Sequence, residues 1–111
     1  MSDVTFRHDG GAVDYTPSSD VTAGDVIVQG QLVGVAKSDI DANVQGALAV
    51  EGVFDFPKAD GSGTAISAGA KVYWDDTNDQ ATETAGANVY IGKVVEAATD
   101  DDTTVRVRMS Q

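Results

Sequence analysis

The stretch TVRVRM, residues 104–109, decides the fold class of this chain. Its apolar residues, Val105, Val107 and Met109, alternate with polar ones that include two arginines. Successive side chains of a β-strand point to opposite faces, so this period of two predicts a strand with one buried and one solvated face.

Short valine-rich runs bounded by glycine recur through the rest of the chain. Glycine at such spacing leaves little room for a long helix, and only one helical turn is predicted, at 38–42. Many short strands between turn signals predict an all-β protein, a small barrel or sandwich in one domain. The predicted strands lie at 25–28, 32–35, 47–53, 71–74, 88–91 and 104–109.

The two halves of the chain resemble each other. Residues 22–26 are similar to 67–72, and residues 32–36 are similar to 90–94. These similarities indicate a duplicated β unit whose second copy carries an insertion at 75–88; the alternative is convergence on the same turn chemistry. Residues 58–64, rich in glycine and serine, are predicted to form a flexible surface loop between the halves.

Composition limits the classes of function. The net charge is −11 and there is no cysteine. Binding to nucleic-acid phosphates needs clustered Lys and Arg, so no nucleic-acid partner is expected, and an anionic membrane surface would repel the chain. Without cysteine there can be no disulfide, thiolate zinc site or cysteine nucleophile. No apolar run approaches the roughly 20 residues of a membrane span.

The acidic run DDTND, residues 75–79, can be interpreted as a metal loop or as the tip of a hairpin. An EF-hand needs glycine at its sixth position and glutamate at its twelfth, and neither register of this run supplies them. A hairpin tip is therefore predicted, with no metal or cofactor site. The single histidine, His8, lies in a segment predicted to be an N-terminal arm, where a fixed catalytic triad is hard to hold, so the protein is not expected to be an enzyme.

Three aromatic residues follow the strand pattern. Trp74 shares a face with Val72 and is predicted to lie in the core. Tyr73 then points the other way, and with Tyr90 it is a candidate surface aromatic for a contact between subunits.

The order and spacing of several segments resemble the small phage proteins once catalogued as the domain of unknown function DUF2190. The resemblance covers roughly residues 10–109. It is carried by residues 13–17, 21–28, 32–36, 49–54, 57–58, 69–75, 91–92 and 105–108. That family is similar to capsid decoration, or cement, proteins of tailed bacteriophages.

The resemblance implies a β-rich homotrimer that binds the major capsid protein on the outer face of an assembled head, at threefold or quasi-threefold positions. The protein would be made in the cytoplasm of the bacterial host and carried in the virion. No catalytic residue is implied. Two alternatives stay open: an acidic β-rich module that binds carbohydrate or displays a fibre, and a small metal-dependent enzyme.

Within this framework residues 1–20 are expected to form an N-terminal arm and residues 21–111 a single β domain. The arm is expected to contact the capsid through Thr5, Phe6, Arg7 and His8. In this acidic chain Arg7 and His8 are unusual cationic points, which could pair with carboxylates of the shell. Phe54, Tyr73 and Tyr90 are the candidates for contacts between subunits.

Overall fold

The computed structural model describes residues 4, 5, 7 and 9–111. Every regular element in these residues is a β-strand, which confirms the all-β prediction. The strands are β1 Ala12–Tyr15, β2 Val26–Gln29, β3 Leu32–Ala36, β4 Gly46–Ala49, β5 Gly52–Pro57, β6 Lys71–Asp75, β7 Gln80–Thr82, β8 Val89–Glu96 and β9 Thr104–Met109.

The strands form two antiparallel sheets. The first has the order β1-β4-β3-β2 and the second the order β5-β9-β8-β6-β7. The second sheet curls until Lys58, the residue after β5, makes a parallel bridge with Ala81 of β7. One bridge does not close a barrel, so the described part of the chain consists of two packed sheets.

The two sheets share one topology, as the duplicated-unit hypothesis predicts. β1, β2, β3 and β4 correspond in order and pairing to β5, β6, β8 and β9. The additional strand, β7, lies in the segment 75–88 that we identified as an insertion. Even the register is shared, because Val26 pairs with Val35 in the first sheet as Lys71 pairs with Lys93 in the second.

The loop before the second strand of each unit is built in the same way. The N–H of Gly24 donates to the carbonyl of Ala36 at 2.6 Å, and the N–H of Gly69 donates to Val94 at 2.7 Å. Both glycines have positive φ, +94° and +85°. Residues with a Cβ rarely adopt this conformation, which explains why both halves have glycine here.

One face of the first sheet packs on the second sheet. Val33 and Val35 of β3 belong to the main core, together with residues of all five strands of the second sheet or their loops. This face also carries Val26 and Val28, which pack against the same core. The opposite face of the first sheet forms a smaller cluster around Leu48. The main core therefore lies between the two repeated units and fixes how they stack.

Two predictions of local secondary structure are wrong. Residues 47–53 do not form one strand, because the chain turns at 50–51 and Gly52 has a φ of +123°. The predicted helical turn at 38–42 is absent: Ile40 instead forms an antiparallel bridge with Val21, and both are buried. Burial of Ile40 against the small core outweighs the weak capping preference of Ser38.

The predicted flexible loop at 58–64 is held in place by its neighbours. The carboxylate of Asp100 accepts hydrogen bonds from the N–H groups of Thr64 and Ala65, at 3.0 and 2.8 Å. Lys58, at the start of the loop, is only 6% exposed. The glycines and serine of this segment therefore mark tight turns in a fixed loop.

Candidate interaction surfaces

The predicted arm leads into an edge of the first sheet. Thr5 and Arg7 are exposed, whereas Phe6 and His8 lie outside the described residues. β1, which falls within residues 1–20, pairs with β4 and forms one edge of its sheet. An arm that precedes an edge strand is placed where a neighbouring protein can add to the sheet. Contact between these residues and a capsid stays a prediction.

Phe54 lies between the core and the solvent. It is partly buried, packs against the main core and makes an edge-to-face contact with Phe56, with ring centroids 6.4 Å apart. Its ring is therefore engaged within the chain, which leaves only part of it for a subunit contact.

Tyr73 and Tyr90 form a cross-strand pair on the outer face of the second sheet. They are opposite each other on β6 and β8, and their ring centroids are 5.7 Å apart. Trp74 points the other way and is 4% exposed, which confirms its prediction as a core residue. The pair is a partly exposed aromatic patch; its role between subunits stays a prediction.

The acidic run at 75–79 forms the tip of a hairpin, as predicted. Asp75 Oδ1 accepts hydrogen bonds from the N–H groups of Thr77 and Asn78, at 3.0 and 3.2 Å, and Oδ2 accepts one from Asn78 Nδ2 at 2.8 Å. The side-chain bond and then the backbone bond from Asn78 lower the pKa of Asp75. Asp79 adopts a φ of +52°, a conformation that aspartate tolerates in turns. The carboxylate of Asp75 thus serves the turn.

Two carboxylates of the same sheet neutralise the charge of Arg106. On the outer face of β9, its guanidinium lies 3.0 Å from Asp55 on β5 and 3.0 Å from Glu96 on β8. The hydrogen bond that the guanidinium donates to Asp55, followed by the charges of Asp55 and Glu96, raises the pKa of Arg106. All three side chains are about half exposed or more, so the network contributes little to stability.

A row of cations crosses the same face two residues further along β9. Arg108 pairs with Lys93 of β8, and Lys93 pairs with Lys71 of β6. All three are exposed, and none makes an ion pair with another described residue. The fourth member of the row is Val53 on β5, opposite Arg108. This set, called the cationic row below, holds three of the seven Lys and Arg residues of the chain.

Sequence reasoning placed Arg108 on the solvated face but did not identify the row. A signal was present in the repeat, because Lys71 and Lys93 occupy the positions of Val26 and Val35 in the first unit. A repeated position that changes from apolar to cationic marks a face that is buried in one unit and solvated in the other.

In a comparison with protein families, the family model described as phage cement protein matches residues 7–109. The match includes all nine described strands. A search of curated proteins and a search of solved structures each gave no match. In the described residues there is no helix long and apolar enough to cross a membrane.

Proposed function

This chain belongs to the phage cement protein family, and from that premise we propose that it binds the outer surface of an assembled phage head at threefold or quasi-threefold positions and stabilises the shell. Its partner there is the major capsid protein, and it acts as a homotrimer. The family is structural and is not a class of enzymes. The observation that carries the proposal is the family match, which spans both sheets.

The fold is suited to holding neighbouring capsid subunits together. Two stacked sheets with a continuous core give a rigid body, since side chains in such cores are close-packed. A trimer of rigid bodies can contact several capsomers at once. Linked contacts that are individually weak give strong attachment, because each later contact forms at high effective concentration.

The first prediction concerns attachment itself. The purified protein is expected to scatter light as three chains, and to co-sediment with expanded heads of the parent phage that lack it but not with unexpanded proheads. Heads that carry the protein should release DNA at a higher temperature than bare heads. Binding to a sugar array combined with indifference to heads would contradict the proposal and favour a carbohydrate-binding module; the buried Trp74 leaves such a module without its best stacking platform.

The second prediction concerns the arm. Deleting residues 2–8 should leave the fold intact, because among the described residues the backbone hydrogen bonds that attach this end of the chain to the sheet start at Gly11, whose carbonyl accepts from the N–H of Val50 at 3.0 Å. The Tm should change by less than about 2 °C, whereas binding to heads should weaken by about tenfold or more.

A matched control for that deletion keeps the length of the arm and replaces residues 5–8 with glycine and serine. If the chemistry of Thr5, Phe6, Arg7 and His8 matters, this variant binds heads as weakly as the deletion. Full binding by both variants would remove the arm from the mechanism.

A further inference from the structure

The cationic row is energetically unfavourable in the isolated chain. Side chains directly opposite each other on neighbouring strands lie about 5 Å apart at Cβ, and like charges in this arrangement are destabilising. Lys93 has such a neighbour on both sides, Lys71 and Arg108. The nearby Arg106 shows that the same face can neutralise a cation with carboxylates of its own. The row has no such partner among the described residues.

The duplicated unit indicates what this face can do. In the first unit the equivalent row is Val26, Val35, Ala49 and Ala12, joined by the same strand pairings. That face is the one that packs on the second sheet, with Val35 in the main core. The equivalent face of the second unit is solvated and cationic. It therefore occupies the position of a face that packs on another sheet, and its positive charges suit an acidic partner.

We infer that the cationic row of Lys71, Lys93 and Arg108 is a docking surface for carboxylate side chains of the capsid shell. This inference rests on the proposed function and assigns part of its contact to the second sheet. Basic and acidic patches that meet across an interface fix its register and speed its formation. Desolvation on the shell would strengthen each charge pair relative to its strength in water.

The shell is a better occupant than another copy of this chain. In the proposed function the homotrimer is already assembled before the protein meets the shell, so contacts between copies are made first. A row that faces outward and makes no ion pair with the described residues is available to a surface that the protein meets later.

Replacing Lys93 with glutamate separates docking from folding, because the two readouts should move in opposite directions. In the free protein, Lys93→Glu puts an acid between two cations and should raise the Tm by roughly 1–4 °C. On bare expanded heads, the same variant should bind about tenfold more weakly or worse, because a like charge now faces the carboxylates. Binding of the unsubstituted protein should weaken with added salt more steeply than that of the variant.

Two arginines on one strand and one face supply a matched control. Arg108→Gln should weaken binding to heads several-fold, whereas Arg106→Gln, which removes a cation already neutralised by Asp55 and Glu96, should leave binding within about twofold. Both variants lose one positive charge, so an effect of net charge alone would appear equally in each.

Three results would overturn the inference. One is unchanged binding of Lys93→Glu to heads that bind the unsubstituted protein. Another is a Lys93→Glu protein that no longer forms the oligomer but still binds heads normally, which would assign the row to contacts between copies. A third is an equal effect of both arginine variants. Failure of the unsubstituted protein to bind heads would instead refute the proposed function, and the inference with it.

Discussion

Gly92→Ala is expected to lower the free energy of unfolding by about 3 kcal/mol or more, near the upper end of what overpacking causes. Gly92 lies in the middle of β8, buried, where it pairs with Val72 and Met109. A Cβ at this position would overlap the carbonyl oxygen of Arg108 and lie 2.9 Å from that residue's carbonyl carbon. The obstacle is backbone of the neighbouring strand, which cannot rotate away as a side chain can.

The expected fall in Tm exceeds about 10 °C for a domain of this size, and thermal unfolding followed by circular dichroism would measure it. Two controls form a graded series. At Gly34, the equivalent position of the first unit, a Cβ would meet the side chain of Leu48 at 2.8 Å, so Gly34→Ala should cost less. At Gly10 nothing lies within 4 Å, so Gly10→Ala should be nearly neutral. A Gly92→Ala protein that melts within 2 °C of the unsubstituted one would show that the two strands can separate freely.

The glycines of this series also show how much of the fold the sequence predicts. The glycines at 34 and 92 were visible as matching positions in two similar segments, and the structure confirms that those segments are equivalent strands. Alternation identifies β9 because its pattern is local. The boundary between β4 and β5 was missed, because a turn with apolar Val50 inside it does not interrupt the apolar pattern.

The cationic row could not be read from any one segment. It depends on the pairing of three strands, β6, β8 and β9, that are separated by loops and by the hairpin insertion. Its register also depends on an irregularity between Val72 and Tyr73, where β8 contains one additional residue. A shift of one residue would turn Lys71 or Lys93 toward the core. Local patterns do not contain this information, which belongs to the tertiary structure.

The loop that begins at Lys58 is a second feature that local sequence patterns do not predict. Its neighbours in sequence are small and polar, and they indicated flexibility. The order of this loop comes instead from residues 99–102, about forty positions away, which are brought beside it when β5 pairs with β9. The acidic run at 100–102 supplies both carbonyl and carboxylate acceptors to this loop.

Lys58→Met is expected to lower the free energy of unfolding by about 2–4 kcal/mol. The ammonium group is buried and donates to the carbonyls of Ala59, Asp102 and Thr99, at 2.7, 2.8 and 3.0 Å. Methionine has a similar length and no donor, so it fills the space but removes the hydrogen bonds that the three carbonyls accept from the ammonium group. Each charge-assisted bond contributes about 1.5–3 kcal/mol, and removal of a buried charge recovers only part of that sum.

Lys37→Met is the matched control, since it removes the same charge from an exposed lysine and should change the Tm by little. Hydrogen exchange gives a second readout that is local. In Lys58→Met the N–H groups of Gly61, Thr64 and Ala65, which bond to Asp100, should exchange faster than in the unsubstituted protein, because the loop loses the lysine that ties it to residues 99–102. The increase should be larger for these groups than for the N–H groups of β3. Equal melting of the two methionine variants would mean that water replaces the ammonium group at no cost, and that Asp100 alone is enough to order the loop.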